Sequence, residues 1–410
     1  MKIEDTISKN KEHQEIRPSL SILLGSGFSV PMGYPTAKDV SNKLLDFDKN
    51  KDIDWVGKLS TRTDNTPSYM DPHNEHSKQF CFCKEIIDHE KNEVHNYEDF
   101  YDFLKAEANA PTYKYLNLFI RHYSNQDRDA NDEYRQYLFA ADSIYQQMVA
   151  ETIRDKNNNQ WYDESTIDEI ENSYDSFIHF LQEWSKKYVV NVHTLNHDLL
   201  FESFNKTDRL SGLISDGFNE SDSPFIGKCH KDDFEHEVRL PRYTGIFNTP
   251  IRLYKLHGSI DYMRCGKTNM NGVWSATDIV KIRKGIKIDD DILRVDSKDN
   301  RQETYFSSSL HTDFLTGTTS KIIKYNDPLL YKPNFELFKK NLKNADILII
   351  IGYGGCDSAI NEMILEHFKF NKNKSYIINC CISGELKCFA EKIGAITYEQ
   401  KIENFDKAWF

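Results

Sequence analysis

Two apolar runs, far apart in the chain, each stop at a glycine-rich turn. The first, 19–24, reads S-L-S-I-L-L and ends at Gly25-Ser26-Gly27. The second, 346–351, reads D-I-L-I-I-I and ends at Gly352-Tyr353-Gly354-Gly355. Short continuous apolar runs closed by glycine are the pattern of strands buried on both faces. Around the second run, strand and helix patterns alternate: helical spacing over 335–344 and 358–368, a strand over 376–380, a further helix over 385–393. That alternation predicts a parallel sheet covered by helices on both faces. Two further strands, 188–192 and 251–256, run into the polar segments His193-Thr194-Leu195-Asn196-His197-Asp198 and His257-Gly258. The fold class expected is α/β, with a Rossmann-like parallel sheet.

Between the first two strand patterns the character changes. Charged residues, Asn, Thr and Pro dominate 49–77, which reads as an irregular surface segment. Asn96 reads as a helix N-cap, with Glu98 and Asp99 in the first turn. Helical spacing follows over 97–108, 113–123, 134–155 and 174–187, with no strand alternation. The expected organisation is a core formed by 1–48, 188–262 and 335–410, a mainly helical insertion over 49–187, and an irregular segment with a small β content over 263–334.

Composition narrows the function classes. Among 410 residues, 39% are hydrophobic and 13% aromatic, enough for a packed core. The formal net charge is -12, so direct nucleic-acid binding is not expected, because such affinity comes mainly from Lys and Arg on phosphates. No run of 18 apolar residues predicts a membrane span, and the polar stretch 1–19 lacks the apolar core of a signal peptide. A cytoplasmic protein is the expectation. The 8 cysteines form no C-x-x-C pair, which leaves free thiols in a reducing compartment as the simplest reading.

The chemistry-bearing residues gather at the ends of the predicted strands. A strand, a glycine turn and a helix together can cradle a phosphate on backbone N–H groups. The spacing here is not G-x-G-x-x-G, since Val30 stands at the third position, and a structural turn without ligand fits equally well. Two such turns at the carboxyl ends of parallel strands favour a ligand crevice. Asn196, Asp198 and His257 would project into it. His193 and His197 are four apart, but they straddle the strand end rather than sit on one helix, so no metal is expected. An amide can orient water, a histidine can take a proton from a ribose hydroxyl, and a carboxylate can hold a carboxamide. Cleavage of a nicotinamide–ribose bond, whose transition state is oxocarbenium-like, needs little more.

At this point the residues resemble a family. Gly25-Ser26-Gly27-Phe28-Ser29-Val30-Pro31-Met32-Gly33-Tyr34-Pro35 resembles the first sirtuin motif, G-A-G-I-S-x-x-x-G-I-P. His193 to Asp198 is similar to T-Q-N-x-D, Leu256-His257-Gly258 to the catalytic H-G, Ile351 to Gly354 to the G-T-S segment, and Ile377-Ile378-Asn379 to the strand that meets the adenosine ribose. The resemblance implies a sirtuin-like core that binds NAD. It implies Asn196 and His257 as the catalytic pair, with Asn196 placing water or ribose and His257 as general base. It implies Asp198 on the nicotinamide amide. Gly25, Ser26, Gly27, Phe28, Thr36, Gly352, Tyr353, Asp357 and Asn379 would contact the dinucleotide.

The chain also departs from that family. Leu195 replaces the sirtuin Gln, Thr36-Ala37-Lys38 replaces D-F-R, and no zinc module follows His257-Gly258, where only Cys265 stands nearby. These departures resemble the sirtuin-like NADases of bacterial antiphage defence, which hydrolyse NAD itself. Most similar is the sirtuin-like partner of a HerA-type ATPase. That resemblance implies NAD as substrate, a homo-oligomer and a possible HerA-type ATPase partner. The alternatives are an NAD-dependent protein deacylase and a non-catalytic nucleotide-binding or scaffold subunit.

Overall fold

A computed structural model describes residues 17–45, 75–93, 96–125, 128–154, 166–231, 234–268, 274–282, 292–295, 302–307, 314–315 and 324–410. The strands among them are β1 (Ser19–Leu24), β2 (Val189–Thr194), β3 (Ile214–Ser215), β4 (Gly217–Asn219), β5 (Phe225–Lys231), β6 (Phe234–Arg239), β7 (Arg242–Ile246), β8 (Ile251–Lys255), β9 (Tyr262–Thr268), β10 (Trp274–Lys281), β11 (Ile292–Val295), β12 (Gln302–Ser307), β13 (Ile347–Ile351), β14 (Lys374–Asn379) and β15 (Ile396–Glu399). The α-helices are α1 (Ala37–Leu45), α2 (Glu75–Glu90), α3 (Tyr97–Asn109), α4 (Leu116–His122), α5 (Ala130–Arg154), α6 (Ile167–Trp184), α7 (Leu200–Ser203), α8 (Tyr331–Asn344), α9 (Ser358–His367) and α10 (Gly384–Ile393).

The central sheet has seven strands in the order β15-β14-β13-β1-β2-β8-β3, and the pairs are parallel. Apart from the short edge strand β3, the strands taken in chain order give the 3-2-1-4-5-6 arrangement of a doubly wound Rossmann sheet. The chain builds outward from β1 to β2 and β8, then returns to β13 on the other side of β1. That reversal places a crevice at the carboxyl ends of β1 and β13, where the two glycine turns stand. Period-two alternation divides the sheet's side chains between two cores. Leu20, Ile22, Leu24, Val190, Val192, Ile349, Ile351 and Ile378 pack on one face against α6. Leu23, Tyr254, Leu348, Ile350 and Ile377 pack on the other, against α8, α9 and α10.

The placement of α6 differs from the sequence expectation, which grouped 174–187 with the helical insertion. Ile170, Tyr174, Phe177, Ile178, Phe180 and Leu181 all lie in the core of the sheet. The helix starts at a capping box, with Thr166 accepting from Glu169 N–H and the Glu169 side chain accepting from Thr166 N–H. The helices α1 to α5 share a separate core, built on residues such as Val40, Phe82, Leu104, Phe119 and Tyr145. Helix α2 lies within the block expected to be mainly helical, though no helical spacing was assigned to it, and its first residues, 75–77, overturn the irregular reading there. Phe80, Phe82, Cys83, Ile86 and Ile87 are all buried, and at helical spacing they share one face. The irregular segment expected over 49–77 lies outside the described residues up to position 74.

The β content is also larger than the segment 263–334 was expected to hold. A second sheet has eight strands, in the order β4-β7-β10-β9-β12-β11-β5-β6, and it begins inside the stretch assigned to the core. Its pairs are antiparallel. Its strands carry mixed polar sequences such as F-E-H-E-V-R, which lack the apolar run that marks a fully buried strand. No helix among the described residues is long and apolar enough to cross a membrane.

His193, on β2, is fully buried between Tyr254, with ring centroids 4.8 Å apart, and Phe338, at 4.7 Å. Neither ring nitrogen has a hydrogen-bond partner, and burial pushes its pKa down to about 3. The unfolded chain therefore takes up a proton below about pH 6.5 that the folded chain refuses, and stability falls as pH falls through that range. From pH 8 to pH 5 this one group should cost about 2 kcal/mol. His193→Phe should remove that share of the acid sensitivity in urea titrations run at the two pH values. An unchanged difference would show that His193 does not set it.

Candidate active site

The two glycine turns touch through their backbones. Gly25 N–H donates to Ile351 C=O at 3.0 Å, and Gly27 N–H donates to Gly352 C=O at 2.9 Å. A Cβ on Gly25 would lie 2.6 Å from the Gly352 oxygen, and one on Gly352 would lie 2.1 Å from Phe28 N. Gly352 also has φ +64°. The glycines are therefore needed for one turn to lie on the other. The sequence reading connected them with approach to a phosphate.

The segment after β2 is fixed to these turns. Asn196 donates from Nδ2 to Gly25 C=O at 3.0 Å and to Ser29 Oγ at 2.9 Å. With both amide N–H groups engaged, its Oδ1 is the atom left to accept from a water or a ribose hydroxyl. The Ser29 hydroxyl also hydrogen-bonds the Asp198 carboxyl, whose Oδ1 accepts from Leu200 N–H at 3.0 Å. Burial pushes the Asp198 carboxyl above its ordinary range, opposed by the Lys255 charge and these hydrogen bonds. Lys255, at the end of β8, is buried and donates to the carbonyls of Asp198 and His197. It also pairs with Glu202 at 3.1 Å. Lys281 of β10 reaches the same Glu202 and bonds Asp216 and Asp261. Burial alone would depress the Lys281 ammonium, but these carboxylates outweigh it and hold its pKa above the ordinary value. The second sheet is thus tied by ions to the segment that carries Asn196.

His257 follows β8 and the residue Leu256. Its carbonyl accepts from Leu315 N–H at 2.7 Å, and its Nε2 stands 3.5 Å from Asp357 Oδ2. Asp357 caps α9, accepting from Ile360 N–H at 3.2 Å. The Tyr353 hydroxyl accepts from Asp357 N–H at 3.1 Å and has Asn361 Oδ1 2.9 Å away. Burial, followed by the Asp357 charge, holds the Tyr353 phenol above its usual range, so it stays protonated.

A cavity of about 420 Å³ opens at this junction, within the size range of small-molecule sites. Of the residues expected to form the site, Gly25, Ser26, Asn196, Asp198, His257, Tyr353 and Asp357 line it. The others lie outside the lining. Phe28 turns away into the sheet core, its ring 5.2 Å from Tyr174 and 5.3 Å from Phe177. Gly27 and Gly352 are occupied by the contact between the turns. Thr36 caps α1, exchanging hydrogen bonds with Asp39. Asn379 donates to Tyr353 C=O at 3.2 Å and so braces the second turn.

The structure adds lining residues that the sequence reading did not assign to the site. Tyr34, His197 and Cys356 flank the predicted residues, and Asn96, Tyr97, Glu98 and Ile153 come from the helical block. The N-cap at Asn96 was legible, and its side chain accepts from Asp99 N–H at 2.9 Å. Nothing local to Asn96 indicates that this helix start meets the crevice. Leu195, which stands where sirtuins carry Gln, lines the cavity as an apolar wall. Cys265 lies on β9 in a small core with Phe225, Met263 and Val280. Among the described residues, no three His, Cys, Asp or Glu side chains are grouped as a metal ion would require.

No protein-family model matches the chain, and no curated protein matches it. Among solved structures it is similar to a mutant Sir2 homologue bound to 2'-O-acetyl ADP ribose, at 12% identity over 98% of this chain and 92% of that one, with a TM-score of 0.35. It is similar to a Sir2 homologue–NAD complex at 11% identity over 95% and 86%, with a TM-score of 0.33. A third likeness is to a structure reported for the mechanism and regulation of Sir2 enzymes, at 10% identity over 95% and 88%, with a TM-score of 0.36. The architecture stands on the strand order itself, to which likenesses at these TM-scores add nothing.

Gly352→Ala tests the contact between the turns. The added methyl meets backbone in a left-handed conformation, so the variant should lose at least about 2 kcal/mol of stability. Chemical denaturation reads this directly. A variant as stable as the parent would show that the turns do not need to touch.

Proposed function

We propose that this chain hydrolyses NAD at the nicotinamide–ribose bond. The observation that carries this reading is the lining of the crevice. Asn196 and His257 share it with the carboxyl groups of Glu98, Asp198 and Asp357, and no Lys or Arg stands among the described lining residues. Such a site suits a cation. The nicotinamide ring of NAD carries positive charge, which passes to the ribose as the bond breaks. Carboxylates beside that ribose favour the developing charge. The Oδ1 of Asn196 would orient water or a ribose hydroxyl, and His257 would accept the proton that water loses on attack. Asp198, its carboxyl raised by burial, would hold the carboxamide. The phosphates would meet the first turn through backbone N–H groups, without help from lysine or arginine.

The sequence motifs support the wider part of the proposal. The chain would act in antiphage defence by depleting NAD, as an oligomer and with a HerA-type ATPase as partner. Hydrolysis is preferred to deacylation because no zinc module follows His257-Gly258 and Leu195 replaces the sirtuin Gln.

Incubating the protein with NAD, alone and with its ATPase partner, should release nicotinamide, followed by chromatography. Asn196→Ala and His257→Ala should each slow release by roughly a hundredfold or more. The nicotinic acid analogue, which puts a carboxylate against this acidic lining, should be cleaved at least about tenfold more slowly. No nicotinamide under any condition would overturn the reading.

A further inference from the structure

Asp357 serves two elements with its two oxygens. Oδ1 caps α9 through Ile360 N–H at 3.2 Å, while Oδ2 stands 3.5 Å from His257 Nε2. The two side chains are only 6% and 9% exposed, so little water screens them from each other. The cap does not explain the charge. Asn and Ser cap helices about as well as Asp. The backbone at this position is held separately, through the Tyr353 hydroxyl. What a carboxylate adds, and Asn or Ser cannot, is an anionic acceptor facing the imidazole.

We propose that Asp357 is a positioning residue for His257, its buried carboxylate favouring the charged imidazolium when that ring takes a proton. The proposal rests on the reading of the crevice as an NAD-cleaving site. A buried carboxylate at this distance stabilises the imidazolium that forms when His257 takes a proton, as in other histidine–carboxylate pairs. The other titratable groups around the cavity are Tyr34 before α1, Glu98 and Tyr97 of α3, His197 and Asp198 after β2, and Tyr353 and Cys356 after β13. His197 is the other imidazole, with its ring centroid 6.2 Å from that of His257. Asp357 is the carboxylate in the direct pair.

Asp357→Asn tests this, because it keeps the cap and removes the charge. Asp357→Ser serves as a second capping variant should the first not fold. The full chain is labelled on histidine with ¹³C and ¹⁵N, and the His257 signal is assigned by its loss in His257→Gln. In the parent, His257 should hold its proton to higher pH than in either capping variant. Its pKa should fall by about one unit or more in either capping variant. In NAD turnover, kcat should fall roughly tenfold or more, with KM little changed, and the acid limb of the pH profile should move to lower pH by the same interval. If the His257 titration curves are the same in parent and variants, the pairing is overturned, whatever the turnover. If they change while the parent releases no nicotinamide, the pairing stands and the NAD-cleaving reading fails.

Discussion

The contact between two backbone turns is the constraint from which the crevice follows. Strands β1 and β13 are neighbours, and the chain leaves both at the same end of the sheet. Their turns can lie on each other only because Gly25, Gly27 and Gly352 carry no Cβ at the points of closest approach. The contact satisfies N–H groups of the first turn on carbonyls of the second strand and turn. Asn196 then binds the first turn, and Asn379 binds the second. Two residues suited by type to contact a dinucleotide thus use amide groups to shape the wall it would meet.

Charge buried behind that wall imposes a second constraint. Lys255, Lys281, Glu202, Asp216 and Asp261 link β8, β10, α7 and the connecting segments. Such a network adds little net stability, because desolvation offsets most of the attraction. Its consequence is geometric. The Lys255 ammonium is bonded to the carbonyls of His197 and Asp198, so moving that segment would leave a buried charge without its partners. Asn196 is held by the glycine turn, and the two residues that follow it by this ammonium.

The strands of the parallel sheet were legible because burial on both faces writes a continuous apolar run, as in β1 and β13. The Asn96 cap was legible because capping is local chemistry. Phe28 was misplaced for an equally physical reason. Its position beside a glycine turn is local, but the direction of its ring is decided by Tyr174 and Phe177, contributed by a helix about 150 residues later. Helix α6 was grouped with the wrong layer because an amphipathic stripe shows that a face is buried and not which surface covers it. Glu98 and His197 gave no local sign of facing the same cavity, since the sheet order that brings them together involves strands from both ends of the chain.

Three apolar cores end near one another at the crevice: two from the faces of the parallel sheet and one from α1 to α5. At their junction Asn196, Asp198, His257 and Asp357 are largely removed from water, which is unfavourable unless polar partners compensate. Their partners come from other elements: Asn196 on the first glycine turn, Asp198 with Ser29, His257 with Asp357 on α9. Each pair therefore joins surfaces that hydrophobic packing alone would leave free to slide. The polar groups of the candidate site do not merely occupy a space left by the fold. They hold its edges in register, so a change in one pair should be felt as much in the position of its neighbours as in its own chemistry.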